Sequence, residues 1–131
     1  MIRSTAAFHE APPANFDGVF LWDYLKPAWK DDKRNLIEPT DFDAVVHKNN
    51  NFLVFETKDP GVLVSRGQMI AFRDLVLDRR FTVVFCAKRS EDVNGWDVMT
   101  RNGTIHMEGN AADLRSWCAC WFIHATQWRA W

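Results

Sequence analysis

Neither sign of charge dominates this chain: sixteen Lys and Arg stand against seventeen Asp and Glu, a formal net charge of -1. No global basic field therefore announces a nucleic-acid partner, and any such partner would be held by a local rim or by bound metal ions that a sequence count never records. Long apolar runs are missing too. No stretch approaches the roughly 20 residues a bilayer-spanning helix needs, and no apolar signal region stands at the start, so the expectation is a cytoplasmic protein with no membrane partner. Cysteine is scarce and odd in number: Cys86, Cys118 and Cys120. The last two stand two apart on a predicted helix and point to different faces, which argues against a zinc site and for free thiols in a reducing compartment. Among the histidines, His9, His47, His106 and His124, no pair has metal-ligand spacing, and solvated or hydrogen-bonded imidazoles are the simpler reading. Repeats, low-complexity tracts and linkers are absent, and 131 residues suit one domain, 1–131, with one active centre.

What the chain does have is apolar and aromatic mass. Hydrophobic residues make up 47% and aromatic ones 14%, enough for a packed core and too much for disorder. The seven tryptophans read as large core fillers, with some rings left to meet a partner.

Pro12 and Pro13 close an irregular N-terminal arm. Phe16, Phe20, Leu21 and Leu25 then recur at helical spacing as far as Pro27. A charged stretch from Lys30 to Arg34 leads to Pro39, after which β-formers dominate. The runs D-F-D-A-V-V-H, Asp41 to His47, and N-F-L-V-F-E-T-K, Asn51 to Lys58, predict two strands joined by a turn at Lys48, Asn49 and Asn50. The period of two puts Asp41, Asp43 and Val45 on one face of the first strand, and Val54, Glu56 and Lys58 on one face of the second. Asp59, Pro60 and Gly61 break that strand. Ser65 opens a helix whose apolar stripe is Met69, Phe72, Leu75 and Val76, and F-T-V-V-F-C-A, Phe81 to Ala87, reads as a buried central strand. A strand, helix and strand of these lengths imply a right-handed parallel crossover, hence a mixed sheet. Asn102 and Gly103 signal a two-residue hairpin between Trp96 to Arg101 and Thr104 to Glu108. Asn110 can cap a last helix in which Leu114, Trp117, Cys118, Trp121, Ala125 and Trp128 form a buried stripe. The predicted class is α/β, a central mixed β-sheet flanked by helices.

Chemistry concentrates in three strings: P-T-D-F-D-A-V-V, E-T-K and G-Q-M-I-A-F. Two carboxylates brought together by an antiparallel pair can supply oxygen ligands to Mg²⁺, which takes few protein groups and keeps several waters. The Thr57 carbonyl can add a third oxygen, and Lys58 can orient an attacking water and stabilise developing negative charge. For an isolated E-X-K the usual explanation is an exposed charge pair. Here the same strand carries Phe52, Leu53, Val54 and Phe55, apolar on both faces, so a buried position that demands partners or a metal fits better. Gln68 is balanced between two roles, because Ser65-X-X-Gln68 is also a capping box. Surface positions are the simpler account of Glu10, Asp17 and Asp23.

From Pro39 to Phe85 the sequence resembles the PD-(D/E)XK nuclease superfamily, in which an Asp opens the second core strand, an acid-X-Lys triplet lies on the third, and a following helix often brings a Gln to the site. The resemblance implies a restriction-endonuclease-like core with Asp43 as first acid, Glu56 and Lys58 as the triplet and Gln68 as the helix residue. Asp41 competes with Asp43 for the first role. Gln68 to Phe72 also looks like the Gln-X-X-X-aromatic motif of RecB-type and phage exonucleases, with Phe72 where Tyr is usual, and the family proline is displaced to Pro39. The function implied is a Mg²⁺-dependent deoxyribonuclease, with Mn²⁺ as a substitute, acting on DNA in a phage or in recombination and repair, and helped by homo-oligomerisation to extend its contact surface. Metal ligands would be Asp43, Glu56 and Thr57. Arg66, Arg73, Arg79, Arg80, Lys88 and Arg89 are candidates for a phosphate-contacting rim. The rival from another class is a catalytically inactive module of the same fold that grips a host protein or DNA, which the tryptophans and the near-neutral charge favour.

Overall fold

The structure, a computed structural model, describes residues 42–128. The expected N-terminal helix from Phe16, and with it Glu10, Asp17, Asp23, His9 and Asp41, lie outside the described residues.

Among the described residues, five strands and two α-helices make an α/β fold. The first two strands, β1 (Ala44–Lys48) and β2 (Asn51–Lys58), pair antiparallel through a turn at Asn49 and Asn50. Those two residues take φ of 50° and 64°, the left-handed values that a two-residue hairpin needs to match strand twist and that Asn tolerates better than other side chains. Helix α1 (Arg66–Val76) then returns the chain to β3 (Phe81–Ala87), which lies parallel to β2. A turn of 3₁₀ helix at Ser90–Asp92 precedes the hairpin of β4 (Trp96–Thr100) and β5 (Gly103–Met107), and α2 (Ala111–Gln127) follows. Among the described residues the strands stand in chain order, β1 to β5, the β2–β3 pair parallel and the other three antiparallel. The sheet is mixed, as the crossover pattern predicts.

Alternation along the central strands builds a core on each face. Val54, Val83 and Met99 pack with Phe72 and Val76 of α1, and all five are nearly or wholly removed from solvent. Leu53, Val84, Trp96 and Val98 face the other way, where Leu114, Trp117, Cys118 and Trp121 of α2 cover them. Trp128, expected in that stripe, is exposed. Each helix starts at a capping box: Ser65 with Gln68, and Asn110 with Asp113. Such reciprocal bonds satisfy N–H groups that the first helical turn leaves without partners.

Two element boundaries differ from expectation. At the late hairpin the turn residues are Arg101 and Asn102, neither at positive φ, while Gly103 opens β5 at φ +120°. A turn with ordinary φ at its centre leaves the next residue to restore the strand twist, and glycine does that at little cost. β1 starts at Ala44 rather than Asp41, for a reason that lies in the Asp43 side chain.

Candidate functional site

Past Ala44, β2 runs on without β1 beside it, so Thr57 would present an unpaired N–H. The Asp43 carboxylate supplies the acceptor: its Oδ2 takes the Thr57 N–H at 2.6 Å and the Thr57 hydroxyl at 3.0 Å. Asp43 itself donates its N–H to the Phe55 carbonyl at 3.1 Å. A bend at Asp43 thus turns its carboxylate toward the edge of β2 beyond the last β1 pair and ends the ladder.

Glu56 and Lys58 follow Val54 on the face that α1 covers. Glu56 is 3% exposed, and a carboxylate so placed needs strong partners. Both partners act on one oxygen, Oε1: Lys58 Nζ at 3.1 Å and Gln68 Nε2 at 2.9 Å. Gln68 therefore fills both roles between which its sequence position was balanced. Its Oε1 accepts from the Ser65 N–H at 3.4 Å and from the Ser65 hydroxyl at 3.3 Å, while Ser65 Oγ accepts from the Gln68 N–H at 3.2 Å. The cap fixes the side chain whose amide nitrogen holds Glu56.

These residues meet in a cleft of about 360 Å³, lined by Asp43, Glu56, Thr57, Lys58, Gln68 and Lys88 among others. All five sequence-predicted site residues line it. They are not arranged as one row, because Asp43 reaches the cleft from the strand end and is tied to Thr57 instead of standing beside Lys58. Lys88 enters because β3 runs in register with β2 from Phe52–Phe81 to Lys58–Ala87, and its N–H donates to the Lys58 carbonyl at 2.9 Å.

Among the described residues no group of three or more His, Cys, Asp or Glu converges as a metal site. Mg²⁺ does not require one, since one or two carboxylates suffice. Two carboxylate oxygens in the cleft, Asp43 Oδ1 and Glu56 Oε2, carry no hydrogen bond among the described residues. That donor set fits a hard divalent cation.

The basic rim is not assembled as expected. Arg79 and Arg80 sit before β3, level with Asn51 at the start of β2, roughly 20 Å along the strand from Lys58 by strand rise. Arg80 is moreover bound to Asp78 by both carboxylate oxygens, with a shortest contact of 2.7 Å, and this partner holds the Asp78 pKa down at about 2. Lys88 is the rim member that reaches the cleft.

One polar pair escaped sequence reasoning. His106 Nδ1 lies 2.7 Å from Asp97 and His106 Nε2 lies 3.2 Å from Glu108; the hydrogen bond with Asp97 raises the His106 pKa above its ordinary value. The signal available was the β4–β5 hairpin, whose register sets Asp97 opposite His106.

No family model, curated protein or solved structure matches the chain. Among the described residues no helix is long and apolar enough to cross a membrane.

Proposed function

We propose that this chain is a metal-dependent deoxyribonuclease of the PD-(D/E)XK type, hydrolysing phosphodiester bonds on a restriction-endonuclease-like core. The observation that carries the proposal is the state of Glu56: buried, gripped through Oε1 by Lys58 and Gln68, and left with Oε2 open in the same cleft as the open oxygen of Asp43. A purely structural ion pair gains nothing from a second open carboxylate lining the same cleft.

Mg²⁺, or Mn²⁺ in its place, would be held by Asp43, Glu56 and the Thr57 carbonyl and would supply charge neutralisation at the phosphoryl oxygens and a more acidic water. The chain's own groups do the rest. Lys58 is partly exposed toward the cleft, so its ammonium can hold an attacking water in line and stabilise charge building on the phosphate. Gln68 keeps the Glu56 carboxylate from rotating, and Thr57 does the same for Asp43, so the ligands are set before substrate arrives. Lys88 offers a second positive charge to a neighbouring phosphate. No protein nucleophile is required.

The test is cleavage of labelled linear, circular and branched DNA with Mg²⁺, by the wild-type protein and by Glu56→Ala and Lys58→Ala. Loss of cutting in both variants supports the proposal.

One observation favours the second reading, a binding module without activity: Phe122, Ile123 and Trp128 at the end of α2 are exposed, and exposed aromatic side chains are common anchors of protein interfaces. Calorimetric titration with Mg²⁺ or Mn²⁺ separates the two, since the module would bind no metal.

A further inference from the structure

The cleft does not end at Lys58. A recess of about 330 Å³ adjoins it and shares Glu56, Lys58, Asp59 and Val62 as common wall. Its size lies at the lower end of what small-molecule pockets span, and its lining joins the apolar Val62, Leu63 and Phe85 to the polar Asp92, Asn94 and Asp97. We propose that this recess receives the unpaired base of the nucleotide next to the scissile phosphate, which makes single-stranded DNA, or the frayed end of a duplex, the preferred substrate. The inference rests on the nuclease reading of the adjacent cleft.

Sheet register locates the recess. Glu56 is level with Phe85, Phe85 with Asp97 and Asp97 with His106. At about 4.8 Å between strands, a row across one face therefore leads from the proposed catalytic carboxylate over an aromatic ring to a polar pair roughly 10 Å away. A nucleobase presents an apolar face and a polar edge, and this row offers a matching order of surfaces.

The outer wall is apolar and otherwise unexplained. Val62 N–H donates to the Asp59 carbonyl at 3.0 Å, with Pro60 and Gly61 (φ +79°) between them, the residue order and the positive φ of a type II turn. That turn leads into Val62 and Leu63 at the recess, exposed by 53% and 87%. The inner wall is fixed closely. A Cβ at Gly95 would come within 2.9 Å of His106 Cε1, so the bare backbone there lets the imidazole lie against it and keeps the Asp97–His106 pair in place.

Charge points the same way. With a net charge of -1 and Lys58 and Lys88 as the cations lining the cleft, phosphate neutralisation alone is a weak source of DNA affinity. Base contacts can make up the difference, and a base can enter a recess only when it is out of the stack.

The experiment measures binding by the full chain, in EDTA so that nothing is cut, to a fluorescent oligothymidylate and to an abasic strand of the same length. Cleavage of the same strands is then measured with Mg²⁺. Expected are about tenfold weaker binding of the abasic strand, since one stacked base contributes ~1–3 kcal/mol, and a similar weakening of thymidylate binding in Leu63→Ser or Asn94→Ala with an unchanged unfolding midpoint. Glu56-dependent cutting with equal affinity for both strands overturns this inference and leaves the nuclease reading standing. No cutting, but a base-dependent affinity lost in Leu63→Ser, overturns the nuclease reading and the placement beside a scissile phosphate, and leaves the recess as a base-binding site alone. Neither cutting nor base dependence overturns both.

Discussion

Gln68 Nε2 donates to Glu56 Oε1 across 2.9 Å while the oxygen of the same amide closes the capping box with Ser65. One side chain thereby couples the start of α1 to the most buried charge of the cleft, and the two functions can be separated by mutation. Ser65→Ala should remove the hydroxyl bonds of the cap, at about 1 kcal/mol of stability, and leave cleavage near wild type, because the N–H at position 65 still donates to the Gln68 amide oxygen. Gln68→Ala should lose the Glu56 partner as well, at about 2 kcal/mol, with a marked fall in cleavage. Urea unfolding beside a DNA-cutting assay checks both.

Glu56 should be a residue that function keeps at some expense of stability. Glu56→Gln removes a buried charge, and the new amide oxygen can still accept from Gln68, so the unfolding free energy should change by less than about 1 kcal/mol. Lys58→Met leaves the carboxylate buried without its cation and should cost about 3 kcal/mol. Both variants should be inactive, so urea midpoints that differ widely between two inactive proteins are the expected signature.

The pH dependence should show two separate groups. The Asp97 carboxylate raises the His106 pKa above its usual 6.5, so stability from that pair is complete below 6.5 and fades as pH climbs through the raised value. An NMR titration of the His106 ring should have its midpoint above 6.5 in the wild type and a lower one in Asp97→Asn. Asp78 behaves oppositely: Arg80 holds it at about 2, below the ordinary 3.8, so its contribution is present above 3.8 and is lost as pH falls toward 2. Arg80→Met should lose less stability than wild type over that acid window, followed by thermal unfolding.

Thiol chemistry should single out one cysteine. Burial pushes the Cys86 and Cys118 thiols up in pKa, whereas Cys120 is exposed on α2. A thiolate-specific reagent near neutral pH should label Cys120 first, and Cys120→Ser should abolish the fast phase of labelling.

Much of this molecule is written in local pattern. The Asn49–Asn50 turn, the Ser65 and Asn110 caps, the alternation in β2 and β3 and the parallel crossover all follow from φ preferences, side-chain oxygens and periodicity, which act within a few residues. The failures are of another kind. β1 is shorter than its run of β-formers because Asp43 gives its carboxylate to Thr57, fourteen residues on, in place of a main-chain partner. The late hairpin is shifted by one residue because a glycine can serve after a turn as well as within it. Arg79 and Arg80 follow α1 closely in the chain yet lie at the far end of the sheet from Lys58, which only the crossover reveals. The Asp97–His106 pair needs the correct hairpin register before it can be seen at all. For the cleft, which residue types meet was legible in E-T-K and Gln68, while the way Asp43 is held was not.

On the proposed reading, the open oxygens of Asp43 and Glu56 serve a divalent cation during phosphodiester hydrolysis. The most direct test is the rate at which wild-type protein and Glu56→Gln cut DNA as Mg²⁺ is raised from none to saturation. A Mg²⁺-dependent rate is expected in the wild type and a loss of at least about 10²-fold in the variant, with both proteins folded. A Glu56→Gln protein that cuts as fast as wild type, or a wild type that cuts nothing at any Mg²⁺ concentration, would contradict it.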